Sequence, residues 1–192
     1  DSSFAFNTLM TTTPSTTDVK PVIHRPNGFL PILRCGISTG EPGAPIIQAR
    51  MVLDSGSEAT LVARDLADEA GLKCSSPQRQ DIQGVSGRRV AMEISYARFT
   101  IHSLVDNTVF SMYSRIVPQV AGQLAGGLVE LRDISAHEDL RLTEPLPLAP
   151  GTVQMLVGQD YLPDLLGQGP KRVGKTSIIL WRTALGDCLS GT

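Results

Sequence analysis

The sequence lacks a basic excess and lacks any long apolar run. Its 192 residues contain 17 Lys and Arg against 19 Asp and Glu, which gives a formal net charge of −2. A domain without surplus positive charge cannot hold a nucleic-acid backbone by bulk electrostatics, so we expect no nucleic-acid partner. No apolar run approaches the roughly 18 to 20 residues that a membrane-spanning helix needs, so we also expect no membrane association.

Cysteines are few and their spacing fits no common cysteine framework. The three cysteines, Cys35, Cys74 and Cys188, are odd in number and lie far apart in the sequence. They form neither a Cys-x-x-Cys metal motif nor a disulfide framework, and the three histidines are scattered. We therefore expect no metal and no cofactor, and we predict a reducing, intracellular location in the cytoplasm.

Aromatic residues are scarce at 5%, but 41% of the residues are hydrophobic, which is enough for a packed core. The start of the chain differs from the rest, because residues 8–17 read Thr-Leu-Met-Thr-Thr-Thr-Pro-Ser-Thr-Thr and offer little apolar surface to offset the entropy of ordering. We predict a flexible Ser/Thr-rich tail or linker over residues 1–25 and one domain over residues 26–192. Since the chain starts at Asp1 rather than at Met, we interpret it as a piece of a longer protein.

The 18 glycines and 13 prolines predict many short strands joined by tight turns. Ile47, Ala49, Met51 and Leu53 share one parity, which indicates a strand with a buried face. Helix formers followed by Gly71 predict a helix over residues 63–70. The remaining patterns predict a short helix at 161–166 and strands at 29–37, 82–85, 90–94, 97–102, 108–117, 153–157, 177–181 and 187–189. The fold class predicted is mostly β with one or two short helices.

The predicted strand ends in an unusual local sequence, Leu53-Asp54-Ser55-Gly56-Ser57. Asp and Gly are poor strand residues, so the strand must end at this point. On their own these residues suit an ordinary β-turn, in which the Asp side chain bonds its own backbone. That interpretation stays open on the local pattern alone.

The residues downstream of Asp54 add a second interpretation. Thr60-Leu61-Val62 follows closely, and a later strand ends in Leu156-Val157-Gly158-Gln159-Asp160. In that order these segments resemble a retropepsin, which is a half-size aspartic protease. The family combines an apolar-Asp-Ser/Thr-Gly-Ser/Ala core, a following Ser or Thr with an apolar pair, and a later apolar-apolar-Gly-polar-Asp/Asn element. The resemblance implies a closed β-barrel of the acid-protease type.

Further motifs are similar to the protease of Pao/BEL-type retrotransposon polyproteins. That type carries Asp-Ser-Gly-Ser, an apolar-Ala-Asp-Pro element, an apolar-Gly-x-Asp-Tyr element and a tail ending in Ser-Gly. This chain has Leu142-Thr143-Glu144-Pro145, Tyr161 after Asp160, and a tail over residues 183–191. It departs from the type at Thr143-Glu144, at Gln154 and at Asp187. The resemblance implies that the substrate is a polyprotein or another peptide.

The resemblance also implies a mechanism in which Asp54 supplies half of a catalytic pair. Two carboxylates about 3 Å apart share one proton, so the pair can act as both base and acid. Asp-Ser-Gly occurs once in the chain, which implies a homodimer with the active site on the two-fold axis. In the family the hydroxyl at Ser55 bonds across that axis, and Gly56 allows close approach of the backbone.

Two more sets of residues acquire roles from the resemblance. A Gly-rich hairpin is the candidate flap that closes over substrate, although an ordinary exposed hairpin explains it equally well. Its residues are Gln83, Gly84, Val85, Ser86 and Gly87. Four positions are assigned structural support rather than catalysis, and these are Ser57, Thr60, Gly158 and Asp160.

Two functions remain open from the sequence. The intact Asp54-Ser55-Gly56 core favours a homodimeric aspartic endopeptidase that cleaves a polyprotein or other peptides. The alternative is a catalytically silent retropepsin-like module for dimerisation or protein interaction, because an intact core is necessary but not sufficient for activity. In either case we expect interface strands in the C-terminal run through Leu185, Leu189 and Gly191, since the chain ends join the two halves in this family.

Overall fold

The computed structural model describes residues 28–83, 89–124, 134 and 139–191. The predicted tail (residues 1–25) and the flap residues Gly84, Val85, Ser86 and Gly87 lie outside these ranges. The described residues are mostly strands with two short helices, as predicted. In chain order the elements are β1 (Ile32–Ser38), β2 (Ile47–Leu53), β3 (Leu61–Ala63), α1 (Arg64–Glu69), β4 (Gln78–Gln83), β5 (Arg89–His102), β6 (Val109–Val117), β7 (Met155–Val157), α2 (Leu162–Leu165), β8 (Lys171–Arg172), β9 (Ile179–Thr183) and β10 (Gly186–Ser190).

Seven strands form the main sheet, in the order β1-β2-β7-β3-β6-β5-β4. Strand β1 also pairs with β5, placing Ser38 opposite Thr100, so six of the strands are joined in a ring of pairings. Within the ring, β2 and β7 are parallel, and Leu53 lies opposite Val157. The ring agrees with the mostly β prediction, and the geometry of a closed barrel stays a prediction.

The main core lies against one face of β2. Ala49, Met51 and Leu53 are buried there, as their alternation predicted. Helix α1 adds Leu66 and Ala67 to the same core and is followed by Ala70 and Gly71. With six and four residues, α1 and α2 are short, and no described helix is long and apolar enough to cross a membrane.

Strand β5 corrects the sequence analysis, which predicted two strands at 90–94 and 97–102. It runs unbroken from Arg89 to His102. Its first half pairs with β4 as far as Ile94, and its second half pairs with β6 from Ser95 onward. The buried face of β5 switches sides where its pairing partner changes from β4 to β6. The backbone stays extended across this point, but in the sequence the switch looks like a break between two strands.

The C-terminal strands form a second sheet in the order β10-β9-β8, of which β8 was not predicted. Gly191 bridges to Phe29, so the last described residue pairs with the segment before β1. The side chains of Leu185 and Leu189 are buried within the chain itself. These two side chains contribute to the chain's own cores, and whether the strands of this run also form an interface stays a prediction.

Candidate active site

Asp54 is the first residue after β2, at the point where two parallel strands end together. Its backbone N–H donates to the carbonyl oxygen of Val157 at 3.0 Å. This bond continues the β2–β7 pairing by one residue, so the strand pair fixes the start of the loop. The side chain of Asp54 is half-buried, whereas Ser55 and Gly56 are exposed.

The loop itself closes through bonds to Asp54. The N–H of Gly56 donates to Asp54 Oδ1 at 2.9 Å, and the N–H of Ser57 donates to the Asp54 carbonyl oxygen at 3.2 Å. An Asp side chain that accepts from the backbone two residues onward is the arrangement of the β-turn interpretation. The local geometry therefore serves both interpretations, and the surrounding contacts must distinguish them.

Gln159 holds the loop from the other strand end. Its backbone N–H donates to the carbonyl oxygen of Ser57 at 2.9 Å, and its side-chain Nε2 donates to the carbonyl oxygen of Ser55 at 2.9 Å. The sequence analysis gave Gln159 no role. A polar residue between Gly158 and Asp160 was visible in the sequence, but its partners lie about a hundred positions earlier.

Thr60, Gly158 and Asp160 form one network beneath the loop. Thr60 is fully buried, and its N–H and Oγ1 donate to the two carboxylate oxygens of Asp160 at 2.9 and 2.6 Å. The N–H of Gly158 in turn donates to Thr60 Oγ1 at 3.1 Å. The structure thus brings together three of the four residues assigned to support, and their assignment to support rather than catalysis stays a prediction.

Glycine is required at position 158 by close backbone contact. A Cβ atom there would lie 2.7 Å from the carbonyl carbon and oxygen of Ala59, which is closer than real Cβ atoms approach. Ser57, the fourth support residue, bonds within its own loop, because its Oγ donates to the Ala59 carbonyl oxygen at 2.8 Å. The segments on either side of Thr60 and Asp160 are therefore packed directly against each other.

A protein-family model described as aspartyl protease matches residues 43–160. This chain belongs to the aspartyl protease family. The match runs from the turn before β2 to Asp160, so it includes the loop at Asp54 and all three members of the Thr60 network. The comparison with curated proteins gives no match.

A serine–histidine pair in this aspartyl protease-family chain was missed by the sequence analysis. Ser38 Oγ and His102 Nε2 are hydrogen-bonded at 2.8 Å across the β1–β5 pairing. Ser38 is only 2% exposed, and its oxygen also accepts from the N–H of Gly40. A hydroxyl that is buried and engaged in this way cannot reach a substrate, so we interpret the pair as structural.

The buried cysteines are also unsuited to nucleophilic chemistry. All three cysteines are free thiols. Burial raises the pKa of Cys35 to about 12. Burial, followed by the charge of Asp187, raises the pKa of Cys188 as well. Since the thiolate is the reactive form, neither thiol is activated. The described residues contain no group of three His, Cys, Asp or Glu side chains that could hold a metal ion.

A second carboxylate, Glu144, lies against the middle of β2. It is 4% exposed, and its Oε2 accepts from Arg34 Nε at 2.9 Å. Its Oε1 lies 3.0 Å from Arg50 Nε, an ion pair without the alignment of a hydrogen bond. The Thr143-Glu144 departure noted in the sequence is thus an ion-paired anchor on β1 and β2.

Proposed function

We propose that the chain is an aspartic endopeptidase that acts as a homodimer, with one Asp54 from each copy. Membership of the aspartyl protease family supports peptide hydrolysis as the reaction. The observation that carries the proposal is the state of Asp54, a half-buried carboxylate on a loop that is fixed from two strand ends. No cation among the described side chains pairs with it, so its charge is free to act on a substrate.

The proposed chemistry needs two carboxylates in contact. One takes a proton from water as the water attacks the peptide carbonyl carbon, and the other donates a proton to the carbonyl oxygen. Because each chain carries one Asp-Ser-Gly, the second carboxylate must come from a second copy. Ser55 and Gly56 are exposed in the single chain, which leaves the Ser55 hydroxyl accessible to a partner loop.

The substrate proposed is a polyprotein or another extended peptide, on the strength of the motifs shared with Pao/BEL-type proteases. We further propose that residues 83–87 close over this substrate. Support comes from the pairing of β4 with β5, in which Gln83 lies opposite Arg89, because the intervening sequence connects these two paired strands. Closure of such a segment would exclude water from the reacting atoms.

A peptide library tests the proposal directly. Between about pH 4 and 6 we expect the purified chain to cleave, and Asp54→Asn to abolish cleavage while the fold is kept, because a neutral amide cannot exchange the proton. Asp68→Asn is the matched control, since Asp68 is exposed on α1 and lacks the following Ser-Gly. Wild-type cleavage by Asp54→Asn would refute the assignment. A wild-type chain that dimerises without cleaving any peptide would favour the silent interaction module.

The pH profile gives a second test. A pair of carboxylates that shares one proton predicts a bell-shaped rate profile, low when both groups are protonated and low when both are ionised. We expect the maximum on the acid side of neutrality. A rate that rises steadily to about pH 9 would instead indicate a serine or cysteine nucleophile.

A further inference from the structure

The peptide unit between Ser55 and Gly56 is hydrogen-bonded at both of its polar atoms. Its carbonyl oxygen accepts from Gln159 Nε2 at 2.9 Å. Its N–H donates to Asp54 Oδ1 at 2.9 Å. The Gln159 side chain and the Asp54 carboxylate therefore hold opposite sides of the same peptide group.

The planarity of the peptide couples these two bonds. In a trans peptide the C=O and N–H lie in one plane and point in opposite directions. A donor that fixes the direction of the Ser55 carbonyl therefore also fixes the direction of the Gly56 N–H. If the peptide rotated, this N–H would turn away from Asp54 and the carboxylate would lose its backbone donor.

Gln159 is itself held in place, so it can direct the loop. Its own N–H is bonded to the carbonyl oxygen of Ser57. Its neighbours Gly158 and Asp160 are both bonded to the buried Thr60. The side chain of Gln159 therefore extends from an anchored backbone toward the loop, across 104 positions of sequence.

We propose that Gln159 is a positioning residue of the active site, whose amide orients the Ser55–Gly56 peptide so that the Gly56 N–H holds the Asp54 carboxylate. The inference rests on the proposed function. Gln159 acts through the loop and touches no reacting atom in this role. Its loss should therefore lower kcat and leave KM almost unchanged.

The size of the expected loss in kcat depends on whether water can replace the Gln159 amide. Gln159 is exposed, so a water molecule can replace its amide at the Ser55 carbonyl. Water supplies a hydrogen bond but no fixed direction, whereas an anchored side chain supplies both. Because small errors in the placement of a catalytic group are costly in rate, we expect the loss of direction to be measurable.

Two variants separate the donor from the shape of the side chain. Gln159→Met keeps the length of an unbranched side chain and removes the amide. Gln159→Glu keeps the shape and replaces the donating amide by an acceptor. Gln168→Met is the matched control, because Gln168 is an exposed glutamine in the loop after α2. We expect both Gln159 variants to lose about tenfold in kcat with KM within about twofold, and the control to match the wild type.

A second measurement does not depend on catalysis. In amide hydrogen exchange followed by NMR, Gly56 should exchange faster in Gln159→Met than in the wild type, while the amides of β5 and β6 stay unchanged. If the wild type cleaves no peptide, the proposed function fails and the exchange of Gly56 still decides the positioning role. Unchanged kcat with unchanged Gly56 exchange would overturn the inference. A raised KM at constant kcat would also overturn it, because Gln159 would then contact substrate.

Discussion

Asp54 follows the end of β2 and Glu144 pairs with Arg50 in the middle of the same strand, and the surroundings of these two carboxylates differ sharply. Glu144 is 4% exposed and lies between the guanidinium groups of Arg34 and Arg50. Asp54 is half-buried and accepts one bond from the N–H of Gly56. Glu144 is neutralised and closed to substrate, so it contributes to stability. Asp54 has no ion-pair partner among the described side chains, as its proposed role requires.

The comparison predicts that Glu144 matters most for stability. Glu144→Gln should lower the free energy of unfolding by roughly 3 kcal/mol, because it leaves a largely buried arginine without its counter-ion. Asp54→Asn should change this free energy little, because no ion pair is lost. Chemical denaturation of both variants measures the difference.

The matched control for Glu144 is an exposed ion pair. Glu41 pairs with Lys73 at 2.8 Å, with side chains that are 63% and 85% exposed. Glu41→Gln should therefore be close to the wild type in stability, since solvent screens such pairs. If Asp54→Asn and Glu144→Gln were equally destabilised, the division between a reactive and a structural carboxylate would be wrong.

A smaller loss of stability is expected at Thr60, whose bonds to Asp160 and Gly158 lie next to the Asp54 loop. Thr60→Val keeps the shape of the side chain but removes the donor to Asp160 and the acceptor for the Gly158 N–H. The buried N–H is left without a partner, so we expect a loss of about 2 kcal/mol in unfolding free energy, together with lower activity. Thr176→Val likewise removes a donor, to the Val173 carbonyl oxygen, and an acceptor, for the Ile178 N–H, but these bonds lie within a partly buried local turn, so it should cost less. Equal losses in the two variants would argue against a special network at Thr60.

The smallest expected change in stability is at Asp106, an exposed carboxylate that is nevertheless hydrogen-bonded and ion-paired. Bonds from the backbone N–H and side chain of Thr108, then from Ser103 and Arg141, lower the pKa of Asp106 from 3.8 to about 2. A pKa that is lower in the folded state gives stability that is present above about pH 4 and lost as the pH falls toward 2. The melting temperature of Asp106→Asn should therefore fall less steeply over this range than that of the wild type. Parallel curves would show that these bonds do not persist in solution.

Local patterns in the sequence predicted the elements that carry the site. The alternation of Ala49, Met51 and Leu53 predicted β2 and its buried face, and Asp-Ser-Gly predicted the loop that follows. These signals span a few residues, so they can be read without knowing the fold. The unbroken strand β5 was missed because its buried face changes where it exchanges one partner strand for another.

Contacts between distant segments could not be predicted. Gln159 meets Ser55 across 104 positions, and Glu144 meets Arg34 across 110. Neither contact has a periodic signature, since one polar side chain in a loop fits many partners equally well. The sequence therefore singled out Asp54 as the candidate carboxylate, whereas the groups that hold its loop and the ion pairs that anchor its strand required the structure.

Mixing wild-type and Asp54→Asn chains tests most directly whether Asp54 acts as one half of a pair. The two chains are refolded together at constant total concentration, and cleavage is measured as the wild-type fraction is lowered. Random pairing predicts that activity follows the square of that fraction, so an equal mixture keeps about one quarter of the activity. A linear decrease, with about one half remaining, would mean that each chain cleaves alone and would contradict the shared pair.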